Sequence, residues 1–215
     1  MKQPIEFHQV SKKLGRRSIL EHINLSVHAG EVVGIVGTNG SGKTTLLRLV
    51  TGLVYPDHGE VFVGGNKISP GLLGVLPTSV GAVIESPSFL PQYSGLKNLS
   101  LLADIRGKIS LDTVKSTMKK LDLDPSNKKA VQTYSLGMRQ RLAIAQAIME
   151  NPDILLFDEP TNGLDEHGVH IFSTIMQEQV QRGSAIMIVS HHKDEITRYC
   201  DRVFGLEERT LKQKF

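Results

Sequence analysis

The sequence predicts one α/β core with a small antiparallel β part at its N-terminus and a helical lobe inserted at about residues 86–150. Three observations predict this. Near-continuous apolar runs occur at Val32–Val36, Ile154–Phe157 and Ala185–Val189, as expected of strands covered on both faces. Between the first run and the other two, from about Leu96 to Met149, apolar residues fall at helical spacing. Before the first run, Ile5-Glu6-Phe7 and Ile23-Asn24-Leu25-Ser26-Val27 alternate apolar and polar, the pattern of half-buried strands. Strands, a helical insert, then strands describe a single core interrupted by a lobe. The expected division is 1–85 and 151–215 for the core and 86–150 for the lobe, within one domain of 215 residues.

In chain order, short strands and turns fill the first thirty or so residues, with Leu14-Gly15 marking a turn. The Val32–Val36 strand runs into a Gly-rich loop, and Thr44 to Val50 carries helical spacing. The Pro56-Asp57-His58-Gly59 turn leads into a strand at Gly59–Val63. In the lobe, Leu111, Val114, Met118 and Leu121 share one helical face, with Ser110 as N-cap. A second helix extends from near Ser135 to Met149, with Leu142, Ala145 and Ile148 inward. Strands return at Ile154 and Ala185, separated by a helix at Val169 to Val180.

Composition narrows the function classes. Forty per cent hydrophobic and 22% charged residues describe an ordinary globular chain. With no Trp and 5% aromatics, a surface built to stack bases or sugars is not expected. The net charge of +3 is too small to imply nucleic acid. Lys12, Lys13, Arg16 and Arg17, and more loosely Lys119, Lys120, Lys128 and Lys129, are basic clusters; such runs are solvated faces unless phosphate or acidic lipid meets them. The single cysteine, Cys200, permits no internal disulfide and has no metal-ligand spacing; a small half-buried side chain is its plain reading. No apolar stretch approaches the ~18 residues of a spanning helix, and the first residues lack the apolar segment of a signal peptide. The expected location is the cytoplasm, with any membrane role supplied by a partner.

The strongest motif is Gly37-Thr38-Asn39-Gly40-Ser41-Gly42-Lys43-Thr44, which fits G-x-x-x-x-G-K-[ST]. Several phosphate charges at close range need many donors, and backbone N–H groups supply them where no Cβ obstructs. The helix that follows points its positive end at the same place. Lys43 is placed to reach the terminal phosphates and the Thr44 hydroxyl to ligate Mg²⁺. A buried strand before the loop and a helix after it are the context such a motif requires.

The second signal is Ile154-Leu155-Leu156-Phe157-Asp158-Glu159, a buried strand that delivers two carboxylates at its C-terminal end. Ligands bind at that end in open α/β sheets. Asp158 is placed to hold Mg²⁺, and Glu159 to orient an attacking water and accept its proton. Ser190-His191 ends a third buried strand. A His there is structural or donates a hydrogen bond to the terminal phosphate or to the attacking water; His192 competes for the role but is expected to point the other way.

Lys43, Asp158-Glu159, Gly163-Leu164-Asp165 and His191 resemble, in order, the Walker A, Walker B, D-loop and switch histidine of the ABC ATPases. Tyr134-Ser135-Leu136-Gly137-Met138-Arg139-Gln140-Arg141 resembles the ABC signature, usually L-S-G-G-Q. The likeness extends from Ile5 to about Leu206. It implies a P-loop NTPase (RecA-like) core and a Mg-dependent ATPase. ATP would be held by residues from Gly37 through Thr44 and Thr45, and by Ser135, Gly137 and Asp165. The resemblance implies Thr44, Asp158 and Glu85 as Mg²⁺ ligands, and Lys43, Glu159 and His191 as catalytic residues.

Ser135 and the N–H groups after it form a second anion site at a helix N-terminus, besides capping that helix. The family's architecture puts this site on the nucleotide of a sister molecule, so a head-to-tail homodimer or pseudo-dimer of cassettes is expected on ATP binding. A separate transmembrane permease is the further expected partner, which places this chain peripherally on the cytoplasmic face of the cell membrane, and no nucleic acid is expected. Phe89, Leu90 and Tyr93 are candidates for that contact or for core packing. Three departures stand out: Leu136 and Met138 in the signature, Glu85 where a Gln is usual, and Leu14 where an aromatic usually stacks on adenine. The first two resemble bacitracin- and lantibiotic-type exporters. The third implies an aliphatic contact in place of a ring. A soluble ABC-type ATPase acting on nucleic acid or the ribosome is the alternative.

Overall fold

The computed structural model describes residues 4–70, 79–85, 88–192 and 196–214. Among these, two sheets form. The first is antiparallel, built from β1 (Ile5–Leu14), β2 (Arg17–Val27), β4 (His58–Val63) and β5 (Asn66–Lys67) in the order β2-β1-β4-β5. The second contains β3 (Val32–Val36), β6 (Val80–Val83), β7 (Ile154–Asp158), β8 (Ala185–Ser190), β9 (Arg202–Glu207) and β10 (Thr210–Gln213), ordered β10-β9-β3-β8-β7-β6. Its pairings are parallel except at β10, which returns antiparallel on β9. The helices are α1 (Lys43–Val50), α2 (Gly95–Arg106), α3 (Leu111–Lys120), α4 (Leu136–Ile148) and α5 (Glu166–Gln181).

The apolar runs are continuous because both faces of the parallel sheet are covered. Successive side chains of a strand point to opposite faces. Accordingly Ile154 and Leu156, with Ala185, Met187 and Val189, pack toward α1 and the antiparallel sheet. Leu155 and Phe157, with Ile186 and Ile188, pack toward the helices on the other side. There they share one cluster with Leu99, Met118, Leu142 and Phe172, so the inserted helices and the sheet are not separately cored.

The helix expectations hold in outline. Ser110 caps α3 by accepting from the Thr113 N–H at 3.2 Å, and Val114, Met118 and Leu121 are buried. Leu111 departs from the expected face: it is 48% exposed, at the first residue of its helix. Leu142, Ala145 and Ile148 are inward as expected. Helix α5 starts three residues before Val169, because Asp165 caps it by accepting from the Gly168 N–H at 2.8 Å. The N-terminal strands are longer than the expected short ones, at ten and eleven residues. Ser86 and Pro87, the expected start of the lobe, lie outside the described residues. Among the described residues no helix is long and apolar enough to cross a membrane.

The topology decides where chemistry can occur. Strand β8 lies between β3 and β7, with Val36 opposite Ser190 and Asp158 opposite Val189. Three C-terminal strand ends therefore meet side by side, each followed by one of the polar motifs.

Candidate functional site

The loop from Gly37 to Gly42 closes on itself before α1 begins. Its first residue is tied to β8 through Gly37 N–H on the Ser190 carbonyl at 3.3 Å. Gly42 sits at φ 110°, a left-handed conformation that favours glycine. A Cβ there would lie 2.7 Å from the Cγ2 of Ile19, so the turn has no room for a side chain. No side chain caps α1, which leaves its first N–H groups free to meet an anion.

Lys43 is 6% exposed and folds back over the loop, donating to the Gly37 carbonyl at 2.7 Å and the Thr38 carbonyl at 3.1 Å. Burial lowers its pKa, while Glu159 and Asp158 pull it back up. A buried ammonium held by carbonyls is a ready partner for phosphate oxygens. Thr45 is buried on the first turn of the helix.

The Thr44 hydroxyl donates to Asp158 at 2.7 Å, joining the loop to the end of β7. Burial raises the Asp158 pKa, and the Glu159 carboxylate adds to that. The Thr44 hydroxyl, the Glu85 N–H and Lys43 oppose it. A carboxyl raised in this way contributes stability in acid that is lost as pH rises through its folded pKa. Asp158→Asn removes that titration. Its melting temperature relative to the parent should therefore climb from acid to neutral pH, which thermal melts of the nucleotide-free protein at a series of pH values would measure. A variant melting temperature that falls relative to the parent's over that interval contradicts the assignment.

Glu159 follows at φ 48°, left-handed for a non-glycine residue, an uncommon conformation concentrated at functional sites. Its carboxylate accepts from the His191 N–H at 2.8 Å and the Ser190 hydroxyl at 2.7 Å, and lies 2.7 Å from His191 Nδ1. Glu159 and His191 are thus a directly bonded pair. His192 does not point away as the alternation rule suggests. Its ring lies against His191 with centroids 3.7 Å apart and the planes tilted by 43°, because β8 ends at Ser190 and strand alternation stops there.

Of the three expected metal ligands, Thr44 and Asp158 are brought together. The carboxylate of Glu85 instead pairs with Arg48 on α1, while its N–H reaches Asp158. The Arg48–Glu85 pair is largely exposed, so its contribution to stability is at most about 1 kcal/mol. Among the described residues no cluster of three or more His, Cys, Asp or Glu could hold a metal ion. What is present is a hydroxyl and carboxylates, the small set of hard oxygens that Mg²⁺ accepts alongside phosphate oxygens.

Ser135 caps α4 by accepting from the Met138 N–H at 3.1 Å. Gly137 lies against the carbonyl of Gly163, and Leu136, 58% exposed, covers Gly163. Gln140 is buried and donates to the Pro160 carbonyl at 3.0 Å. The start of α4 is thereby fastened to the loop that follows Glu159. Asp165 spends its carboxylate on the α5 cap.

A cleft of about 580 Å³ opens over the Gly37–Ser41 backbone, walled by Arg17 to Ile19 and by Leu206 to Arg209. No residue of α2, α3 or α4 lines it. Neither Ser135 nor Gly137 is part of its wall. Leu14 is 46% exposed and does not line the cleft either, so the expected aliphatic contact is not part of its wall. Sequence reasoning missed both walls, the Ser190 bond to Glu159 and the Arg48 pair. The Leu14-Gly15 turn signal, at which the structure pairs Leu14 with Arg17, was a hint to the first wall.

A family model described as ABC transporter matches residues 20–162. The uncharacterized ABC transporter ATP-binding protein YybJ of Bacillus subtilis (strain 168) is 41% identical over 208 residues, covering 97% of this chain and 94% of that protein. The bacitracin transport ATP-binding protein BcrA of Enterococcus faecalis is 35% identical over 215 residues, covering 100% of this chain and 70% of that protein. Among solved structures, a dimeric post-hydrolysis state of the ATP-binding cassette MJ0796 bound to ADP and Pi superposes with a TM-score of 0.85. It is 25% identical and covers 98% of this chain and 97% of that one.

Proposed function

Because this chain belongs to the ABC transporter family, as an ATP-binding and ATP-hydrolysing cassette, we propose that it drives export of an antibiotic, peptide or drug through a separate membrane subunit. The observation that carries the proposal is the coupling of loop and carboxylates: Thr44 bonds Asp158 at 2.7 Å, and the next residue, Glu159, is bonded to His191. Similarity to a bacitracin transport protein supports an antibiotic as the transported substrate.

In this reading the amides of Gly37 to Gly42 and Lys43 hold the triphosphate. Thr44 and Asp158, together with Glu85, would hold Mg²⁺, and the ion would neutralise charge on the phosphates. Glu159 orients water for in-line attack and accepts its proton, and His191 contacts the terminal phosphate. Ser135 and Gly137 of a second cassette complete the site, consistent with a cleft that this chain's own helical insert does not line. Residues 1–85 and 151–215 serve as the nucleotide core and 86–150 as the lobe that passes motion on. ATP binds the closed pair better than the open one, so hydrolysis releases closure. Leu90 and Tyr93, 47% and 40% exposed, are placed for the membrane partner, while Phe89 packs on the core. The protein then works at the cytoplasmic face of the cell membrane.

The test is isolation of the chain from detergent-solubilised membranes of its own cells. A polypeptide with spanning helices that co-purifies, and whose loaded vesicles lose an antibiotic peptide only with ATP, is the expected result. Recovery on ribosomes alone would overturn the transport reading.

A further inference from the structure

Glu159 stands just past the end of β7, and its φ of 48° takes it out of the strand. The pleat that aims side chains along a strand therefore does not aim this one. Its N–H still donates to the Val189 carbonyl at 2.9 Å, so the backbone is held while the carboxylate takes its direction from hydrogen bonds. These divide between its two oxygens. Oε1 accepts from the His191 N–H at 2.8 Å and lies 2.7 Å from His191 Nδ1. Oε2 accepts from the Ser190 hydroxyl at 2.7 Å, its one bond among the described residues. Resting on the reading of Glu159 as the base, we propose that Ser190 is its positioning residue. The hydroxyl anchors Oε2, so that Oε1 is the oxygen that takes the proton of the attacking water.

Ser190 is 0% exposed. Bulk water does not compete for its hydroxyl, and a bond to an ionised acceptor is strong in such a place. The hydroxyl oxygen also accepts from the His192 N–H at 3.0 Å. A serine hydroxyl has a single proton, and with an N–H aimed at its oxygen that proton is directed to the carboxylate. The backbone of the same residue faces the phosphate loop, where the Ser190 carbonyl accepts from the Gly37 N–H at 3.3 Å. One residue thus ties the base through its side chain and the start of the loop through its carbonyl. The spacing of the two is set by a buried strand end rather than by flexible side chains.

His191 cannot do the same work throughout the reaction. Its side chain is partly exposed, and in the reading above its ring contacts the terminal phosphate. Turning there releases the Nδ1 contact and leaves Oε1 able to accept a proton. What remains is one fixed donor on each oxygen, the His191 N–H on Oε1 and the Ser190 hydroxyl on Oε2. Two anchors fix both the position and the plane of a carboxylate, whereas one leaves it free to turn. A long, rotamer-rich side chain such as Glu gains much from being ordered before the reaction.

Steady-state phosphate release by the full chain with MgATP, beside equilibrium ATP titration, tests the proposal. Ser190→Ala should lower kcat by roughly ten- to thirtyfold, with KM and ATP affinity within about twofold of the parent. Ser190→Thr, which keeps the hydroxyl, should stay within about threefold of the parent. A serine that merely stabilised the end of β8 would also slow the enzyme when removed, so the same change is made in the Glu159→Gln background. There, with residual phosphate release measured at high protein concentration, Ser190→Ala should bring no further loss, because the group it serves is gone. A second loss of the same size in the double variant overturns the proposal. So does a raised KM at unchanged kcat, which would leave Ser190 as a tie to the phosphate loop alone. A Thr variant as slow as the Ala variant at the parent's melting temperature overturns it too. Parent-like kcat in Ser190→Ala, with Glu159→Gln slow, removes Ser190 from the mechanism and leaves the base in place. If Glu159→Gln is also parent-like, both fall.

Discussion

Glu159→Gln should bind ATP as tightly as the parent, turn it over at least a hundredfold more slowly, and accumulate as a dimer. The expectation rests on what the carboxylate does in place. Three groups of Ser190 and His191 converge on its two oxygens, so the side chain is fixed at the end of β7 beside Asp158. An amide of the same shape keeps that position but cannot accept a proton. A positioned general base contributes on the order of 10²–10⁴ in rate. The loop amides, Lys43 and Thr44, which carry the phosphate contacts, are untouched by the change. Phosphate release under saturating MgATP measures the first effect, equilibrium titration the second, and size-exclusion chromatography with ATP the third. Parent-like phosphate release would remove Glu159 from the role of base.

The chemistry was more legible in the sequence than the walls around it. Lys43, Thr44, Asp158 and Glu159 lie in contiguous motifs whose strand and helix context is written in the neighbouring residues, and the parallel register brings them together. Strands β6, β9 and β10 left weaker traces. Val80-Gly81-Ala82-Val83 is short and carries a glycine. That glycine is there because Ala147 on α4 approaches so closely that a Cβ would meet its carbonyl at 2.0 Å, a tertiary constraint that no local pattern encodes. The Arg202–Glu207 strand mixes charge with apolar residues because it carries both an ion pair to Glu31 and a cleft wall. The Arg48–Glu85 pair joins residues 37 apart and depends on how β6 ends beside α1. Likewise Leu111 has the right helical phase but stays half-exposed at the first residue of its helix, since burial depends on the facing element as well as on spacing.

Gly137→Ala should leave the folded cassette and its nucleotide affinity in place and still cost at least tenfold in turnover. The added Cβ would sit 2.7 Å from the Gly163 carbonyl, a distance that real Cβ contacts do not show, and the obstacle is backbone rather than a movable side chain. Gly163 has little freedom to retreat: Leu136 already covers it, and Gln140 fastens α4 to the Pro160 carbonyl nearby. The start of α4 must therefore shift. Overpacking of this kind typically costs about 1–3 kcal/mol, which a protein with a core of this extent survives with a lower melting temperature. The phosphate loop lies in another part of the chain and is not disturbed, so the isolated cassette keeps its affinity. Closure on a second molecule is different, because Ser135 and the N–H groups beside Gly137 have to meet a phosphate held by the partner. Misplacing a positioning group by ~1 Å costs on the order of a hundredfold in rate. The measurement is a three-way comparison of melting temperature, ATP affinity and turnover, repeated in the Glu159→Gln background to ask whether ATP still traps a dimer. Loss of the trapped dimer with affinity preserved places Gly137 at the contact between cassettes. Turnover equal to the parent's would mean that no second molecule closes on this helix, and the shared-site mechanism would have to be abandoned.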